Sequence, residues 1–195
     1  MLYIATLNEI KAEIGIADAE DDVGLTTKAE GLQGRFDDHL QRTLLRGADV
    51  EEIFDGDYTW LTPTRYPIES VAHIYVDADA VFGADTEISS SDYRLNKRLG
   101  RIAYMAGQYK WAAGMQNIKV VYTGGYVAAG TVAASGQVAM PETIRRLFFM
   151  QLGFEWRNKT TLGNQSVSAQ GASVSLAPAK FLPEVEEGLS IYKRF

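Results

Sequence analysis

The stretch 117–127, "NIKVVYTGGYV", decides how the rest of the chain is read. Ile118, Val120 and Tyr122 alternate with Lys119, Val121 and Thr123, the period-two pattern of a strand with one buried and one wet face. Gly124 and Gly125 break the pattern, Tyr126 follows at once, and fourteen residues rich in Ala, Gly, Ser and Val then lead up to Met140. Pro141 opens a segment of helical period, where a proline suits the first turn. A strand that ends in a double glycine, crosses a slack tether and enters a helix predicts a β unit inserted into a helical body. The tether is the return crossing, and its glycines let the chain turn without a Cβ penalty.

Working outward, the upstream sequence begins helically. In "TLNEIKAEIGI" (6–16) Thr6 and Glu9 stand at capping-box spacing, Leu7, Ile10 and Ile14 share a face, and Gly15 is placed to end the helix. After the acidic link "ADAEDDVG" (17–24), Leu25, Ala29, Leu32, Phe36, Leu40 and Leu44 recur every three or four residues. They predict a helix over 27–46, ended by Gly47. Gly31 and Gly34 weaken it by about 1 kcal/mol each against alanine, unless they permit close packing on their side.

The period then shortens. "EEIFDGDYTWL" (51–61) reads as two short strands around Asp55 and Gly56, and "TPTRYPIESVAHIYVD" (62–77) becomes a strand through Val71, His73 and Tyr75 once its prolines are passed. "DYRLNKRLGRIAYM" (92–105) reads as a hairpin turning near 96–100. Beyond Pro141, Ile144, Leu147, Phe148, Leu152 and Trp156 form an apolar stripe. The Ser-rich 159–180 lacks helical period and reads as a mobile or extended loop. "LPEVEEGLSIYKRF" (182–195) predicts a last helix with Pro183 at its start and Lys193 and Arg194 at its end, where cations suit the dipole. The fold class is therefore α+β, a helical body of four main helices with an antiparallel β unit between the second and third. The divisions are an N-terminal helical part (1–49), the β insert (50–126) and a C-terminal helical part (127–195).

Composition bounds the function. The 195 residues include no cysteine, which excludes disulfides and thiolate metal sites, and only two histidines, His39 and His73. Neither G-x-S-x-G nor a phosphate-binding G-x-x-x-x-G-K-[ST] occurs. Counted from Asp18 as a calcium loop, position six is Val23 rather than Gly and position twelve is Ala29 rather than Glu. No apolar run is long enough to cross a bilayer, and the acid-bearing N-terminus does not read as a signal peptide. These points leave no catalytic residue, cofactor or metal ligand to name.

Charge is unevenly placed. The chain carries −6 overall, yet residues 1–57 hold fourteen acids against five bases, and no acid occurs over 93–141. Arg94, Arg98 and Arg101 lie in that basic stretch, and Asp21 and Asp22 in the acidic one, so one part of the chain is expected to attract another part of a neighbouring copy. Bases alternating with Tyr93, Tyr104, Tyr109 and Trp111 fit either a β core with a wet basic face or a non-catalytic module that grips nucleic acid or carbohydrate. Phe149, Phe154 and Trp156 widen the apolar surface of the third helix. That marks it as central or shared with another subunit, and the reading leans to shared.

Taken together, "YPIESV" (66–71), "DYRL…GRIAY" (92–104), "IKVVYTGGY" (118–126), the proline-started helix ending near Trp156 and "LPEVEEGLSIYKR" (182–194) resemble the head–tail connector, or neck adaptor, proteins of tailed bacteriophages. The resemblance covers nearly the whole chain in order, with a longer Ser/Gly/Ala loop at 160–178. It implies a structural virion protein without catalysis or cofactor, assembled in the host bacterial cytoplasm. It also implies a ring, usually dodecameric, seated beneath the portal protein. Such a ring docks the next neck or tail-completion protein and lets genomic DNA pass without specific binding.

Overall fold

The structure is a computed structural model and describes residues 1–105, 110–159, 167–169, 172–174 and 181–194. Its contacts divide the chain into two units. One combines Met1–Leu40 with Met140–Lys193; the other is Gln41–Ala139 together with Arg194.

The helical unit holds α1 (Leu7–Ile14), α2 (Asp22–Leu40), α3 (Glu142–Arg157) and α4 (Pro183–Ser190). The capping box of α1 is present: the Glu9 N–H donates to the Thr6 hydroxyl at 3.3 Å, and the Glu9 carboxylate accepts from the Thr6 N–H at 2.8 Å. Gly15, at φ 81°, closes the helix by donating to the Lys11 carbonyl. α2 starts earlier than 27, with Asp22 in the first turn where a carboxylate suits the helix dipole. It also stops well short of 46. Gln41 adopts φ 54°, and the next donors go elsewhere: Thr43 N–H to the Thr64 carbonyl and Arg46 N–H to that of Tyr126. Leu44 keeps its helical spacing in the sequence and is buried, but inside the β unit. Gly31 and Gly34 face open space, so they permit no close packing and simply weaken α2.

α3 is the central helix, in contact with α1, α2 and α4. Ile144, Leu147, Phe148, Leu152 and Trp156 are all buried, with Phe36 meeting Phe148 edge-on at 5.9 Å. Buried Gln151 accepts from the Leu182 N–H at 2.8 Å and so fixes where α4 begins. α4 ends at Ser190, before Lys193 and Arg194, so the expected cations are absent from its last turn. Arg194 instead donates to the Thr62 carbonyl.

In the β unit, the opening stretch supplies β6, the middle of a three-stranded antiparallel sheet. Its order is β1 (Gly47–Phe54), β6 (Ile118–Gly124), β3 (Ile68–Val76). The second sheet is β2 (Trp60–Leu61), β5 (Arg101–Tyr104), β4 (Tyr93–Asn96), again antiparallel. Between them lies one core, in which Ile118, Val120 and Tyr122 of β6 meet Leu61, Ile102 and Trp111. Trp111 donates its indole N–H to the Ile102 carbonyl at 3.2 Å, which satisfies the polar end of a ring that is 2% exposed.

The double glycine has two separate causes. Gly125 takes φ 101°, and a Cβ there would come within 2.8 Å of the Arg46 backbone. A Cβ on Gly124 would crowd the Arg65 and Pro67 carbonyls. One glycine makes the turn and the other lets backbone approach. The tether is also less slack than its composition suggests, because β8 (Val138–Ala139) returns to pair in parallel with β7 (Tyr126–Val127). Most of the loop 159–180 lies outside the described residues. Within it, β9 (Val167–Ala169) and β10 (Ala172–Val174) pair antiparallel.

Candidate assembly interface

Each expected interface residue has a definite setting. In the helical unit, Phe149 and Phe154 come together along one side of α3. They line an open hollow of about 540 Å³ with Met150, Glu13, Ile14 and Leu182. Met150 is 37% exposed there, the side of α3 that the other helices leave uncovered. Trp156 does not join them. It is 9% exposed, and the Lys159 ammonium sits 4.2 Å from its ring centroid. Of the two readings of α3, central or shared with another subunit, its contacts with α1, α2 and α4 make it central within the unit, and the half-open Phe149–Phe154 side is the part left for a second subunit to share. Asp21 and Asp22 have partners inside the unit, Lys159 at 3.5 Å and Lys11 at 2.6 Å.

In the β unit the aromatics and bases of the acid-free stretch separate by face. Tyr93 and Tyr104 turn toward the core, where Tyr104 lies 5.1 Å from Trp111; Tyr109 lies outside the described residues. Arg94 and Arg98 are exposed and Arg101 half-exposed, and among the described residues none of the three forms an ion pair. The β register places both Arg94 and Trp60 opposite Ala103, on the side of the second sheet away from the core. Arg101 lays its guanidinium 4.7 Å from the Trp60 ring centroid, and Trp60 remains 45% exposed. An exposed tryptophan between arginines is a surface suited to burial against a partner. Sequence reasoning passed over Trp60. Strand alternation would have found it, since buried Leu61 forces its neighbour outward.

The first sheet has its own outer face. The register sets Glu51 opposite Val121, and Ile53 and Tyr75 opposite Lys119. Ile53 is 53% exposed, and Lys119 holds its ammonium 4.9 Å from the Tyr75 ring centroid. Inside, Tyr122 donates its hydroxyl to Glu52 and accepts from the Arg65 N–H at 3.0 Å. Burial first, then the hydrogen bond and charge of Glu52, push the Tyr122 phenol far above its ordinary value.

The two histidines belong to different units. His39 meets the Phe181 ring edge-on at 5.2 Å, and His73 pairs with Glu87 at 2.7 Å beside a shallow hollow of about 460 Å³. Among the described residues no three acids or histidines cluster as metal ligands, and no helix is long and apolar enough to cross a membrane.

No protein-family model matches the chain, and no curated protein matches it. Solved structures do. The chain is similar to one in the neck of an empty gene transfer agent particle computed with C6 symmetry, with a TM-score of 0.56 and 15% identity over 98% of this chain and 90% of that one. It is also similar to a chain of the virion of a native gene transfer agent particle, at a TM-score of 0.55 and 14% identity over the same shares. At these identities the likeness is one of fold.

Proposed function

We propose that this chain is a structural protein of a phage-like virion neck, an adaptor that assembles as a ring beneath the portal and joins capsid to tail. One observation carries the reading: the similarity to a neck chain runs through 98% of this sequence, both units included, rather than through one common motif. The sequence resemblance to tailed-phage connectors supports the same placement. The surfaces fit a building block, since the β unit exposes Trp60 on one outer face and Ile53 on the other, and the helical unit exposes Met150 on α3, which offers contact area to more than one neighbour. A net charge of −6 suits a wall past which DNA moves, because phosphate attraction would slow passage. The ring is dodecameric in this reading, and its other partners are the portal protein and the next neck or tail-completion protein.

Cryo-electron microscopy of particles produced with and without the gene tests this. The expected result is a ring of this fold between portal and tail, and tailless, DNA-filled heads when the chain is missing. Normal tailed particles lacking the chain reject the reading.

A further inference from the structure

The two sheets of the β unit share one core, so their outer faces point away from each other. One bears Trp60 flanked by Arg94 and Arg101, and the two arginines lie in a stretch of sequence free of acids. The other ends at β1, an edge strand with only β6 beside it among the described residues. Glu51 and Ile53 project outward from that edge, and Asp49 and Asp55 are exposed along or just beyond the strand. Each face therefore has an apolar anchor flanked by charge: arginines beside Trp60, and beside Ile53 the acids of the β1 edge, while Lys119, across the sheet from Ile53, holds its ammonium over the Tyr75 and Phe82 rings. Among the described residues neither Glu51 nor Arg94 has an ion-pair partner within the chain.

We propose that these faces mate between copies: the Trp60–Arg94–Arg101 face of one copy receives the Glu51–Ile53 edge of the next. Unlike patches on opposite sides of one unit make a head-to-tail contact, the kind that closes into a ring when the rotation permits. An unpaired, acid-bearing edge strand avoids pairing with itself, because like charges would meet, and accepts a basic partner. Burying Trp60 against Ile53 supplies apolar area, and the arginines set the register. The occupant is a second copy rather than nucleic acid. The basic patch is small and belongs to a chain of pI about 5.0, and the complementary acidic edge is carried by the same molecule. The inference rests on the ring reading above and deepens it by naming the faces.

The absence of native cysteine makes the test clean. Val121→Cys marks the first outer face and Ala103→Cys the second. Mixed at high concentration with a flexible bismaleimide, the two full-length variants are expected to give the mixed dimer in excess over either self-dimer. A chain carrying both cysteines is expected to give a ladder of higher oligomers. Arg94→Glu with Arg101→Glu lowers the yield about tenfold, equivalent to ~1.4 kcal/mol, and Glu51→Lys in the same chain restores it. Self-dimers equal to the mixed dimer, no ladder, or a charge reversal without effect overturns the proposal. So does an oligodeoxythymidylate that blocks the ladder. A ladder from a chain that is absent from the particle neck would uphold the mating faces while the neck reading fails.

Discussion

The helical unit and the β unit bury comparable side chains but specify their cores differently. In the helical unit the buried polar groups are amides that bind backbone: the Gln33 carbonyl oxygen accepts the Tyr3 and Ile4 N–H groups at 2.7 and 2.9 Å, and Gln151 takes that of Leu182. These glutamines tie irregular segments to regular helices. In the β unit buried Asn117 also binds backbone, donating to the Ala112 carbonyl at 3.0 Å, but the largest polar pins belong to aromatic rings: Tyr122 of β6 ties to Glu52 of β1, and Trp111, in the segment after β5, ties to the Ile102 carbonyl of that strand. The difference follows from geometry. Helices satisfy their own backbone, so side chains are free to capture loops, whereas sheets need each large ring held at one place along the ladder.

The largest expected effects test whether the cores are separate. Phe148→Ala and Trp111→Ala should each cost about 3–5 kcal/mol. Hydrogen exchange should show the first loosening α1–α4 and the second loosening the strands. Equal loss of protection in both units from either variant would break the distinction.

Next come the pins and close approaches. Gln33→Ala removes the oxygen that accepts from the buried Tyr3 and Ile4 amides, for about 1–3 kcal/mol. Gly124→Ala pushes a methyl against the Arg65 and Pro67 carbonyls, for a similar cost of roughly 1–3 kcal/mol. Denaturant midpoints measure both. A neutral Gly124→Ala would show that the strand ends have room to shift.

On the acid side pH acts on both units, since Asp77 of the β unit is held below its ordinary 3.8 by the N–H groups of Asp79, Phe82 and Val81, as Glu9 is held low in the helical unit; the alkaline response belongs to the β unit. Burial raises the Glu9 carboxyl, but the bonds from Thr6 and the charge of Arg145 outweigh it and hold the group below its ordinary 4.5. Its contribution is present above pH 4.5 and lost as pH falls through the folded value. Tyr122 runs the other way. Its phenol is held above 10.0, so the folded state keeps a proton that the unfolded chain loses, and stability declines as pH rises past 10. Thermal melts should show Thr6→Ala weakening the acid response and Tyr122→Phe reducing the alkaline one, with Tyr93, also raised by burial and by the charge of Glu87, supplying what remains.

The smallest effects should be gains. Gly31→Ala and Gly34→Ala, on the open side of α2, should stabilise by roughly 0.5–1 kcal/mol each. A loss at either would mean that this side is covered in the protein as purified.

Much of this fold could be read from spacing. The helical repeat from Leu25 to Leu40 and the alternation through Ile118, Val120 and Tyr122 name buried residues correctly, because each pattern records which side faces a core. The end of α2 could not be read that way. Leu44 continues the period, but Gln41 turns to φ 54° and the following amides bond to the Thr64 and Tyr126 carbonyls, distant in sequence, so the helix stops at Leu40. The second reason for the double glycine was hidden too, since Gly124 is shaped by backbone from Arg65 and Pro67, far away in sequence. Among candidate interface residues, Phe149 and Phe154 were legible as apolar positions off the main stripe. The internal pairing of Asp21 and Asp22 was not, because it depends on where Lys159 and Lys11 end up after folding.

The helical unit is built from two stretches of chain separated by the whole β unit, and its middle helix belongs to the later one. A ribosome therefore delivers α1 and α2 long before α3. At about 5–20 residues per second, the roughly hundred residues between them take on the order of 5–20 s to make. Throughout that interval α2 has only the N-terminal segment, held at Gln33 by the Tyr3 and Ile4 amides, to rest on, while the inserted sheets emerge as one continuous piece and can close first. A nascent chain stalled just after Ala139 would hold a finished insert and an unfinished frame, the stage at which a chaperone has most to shield.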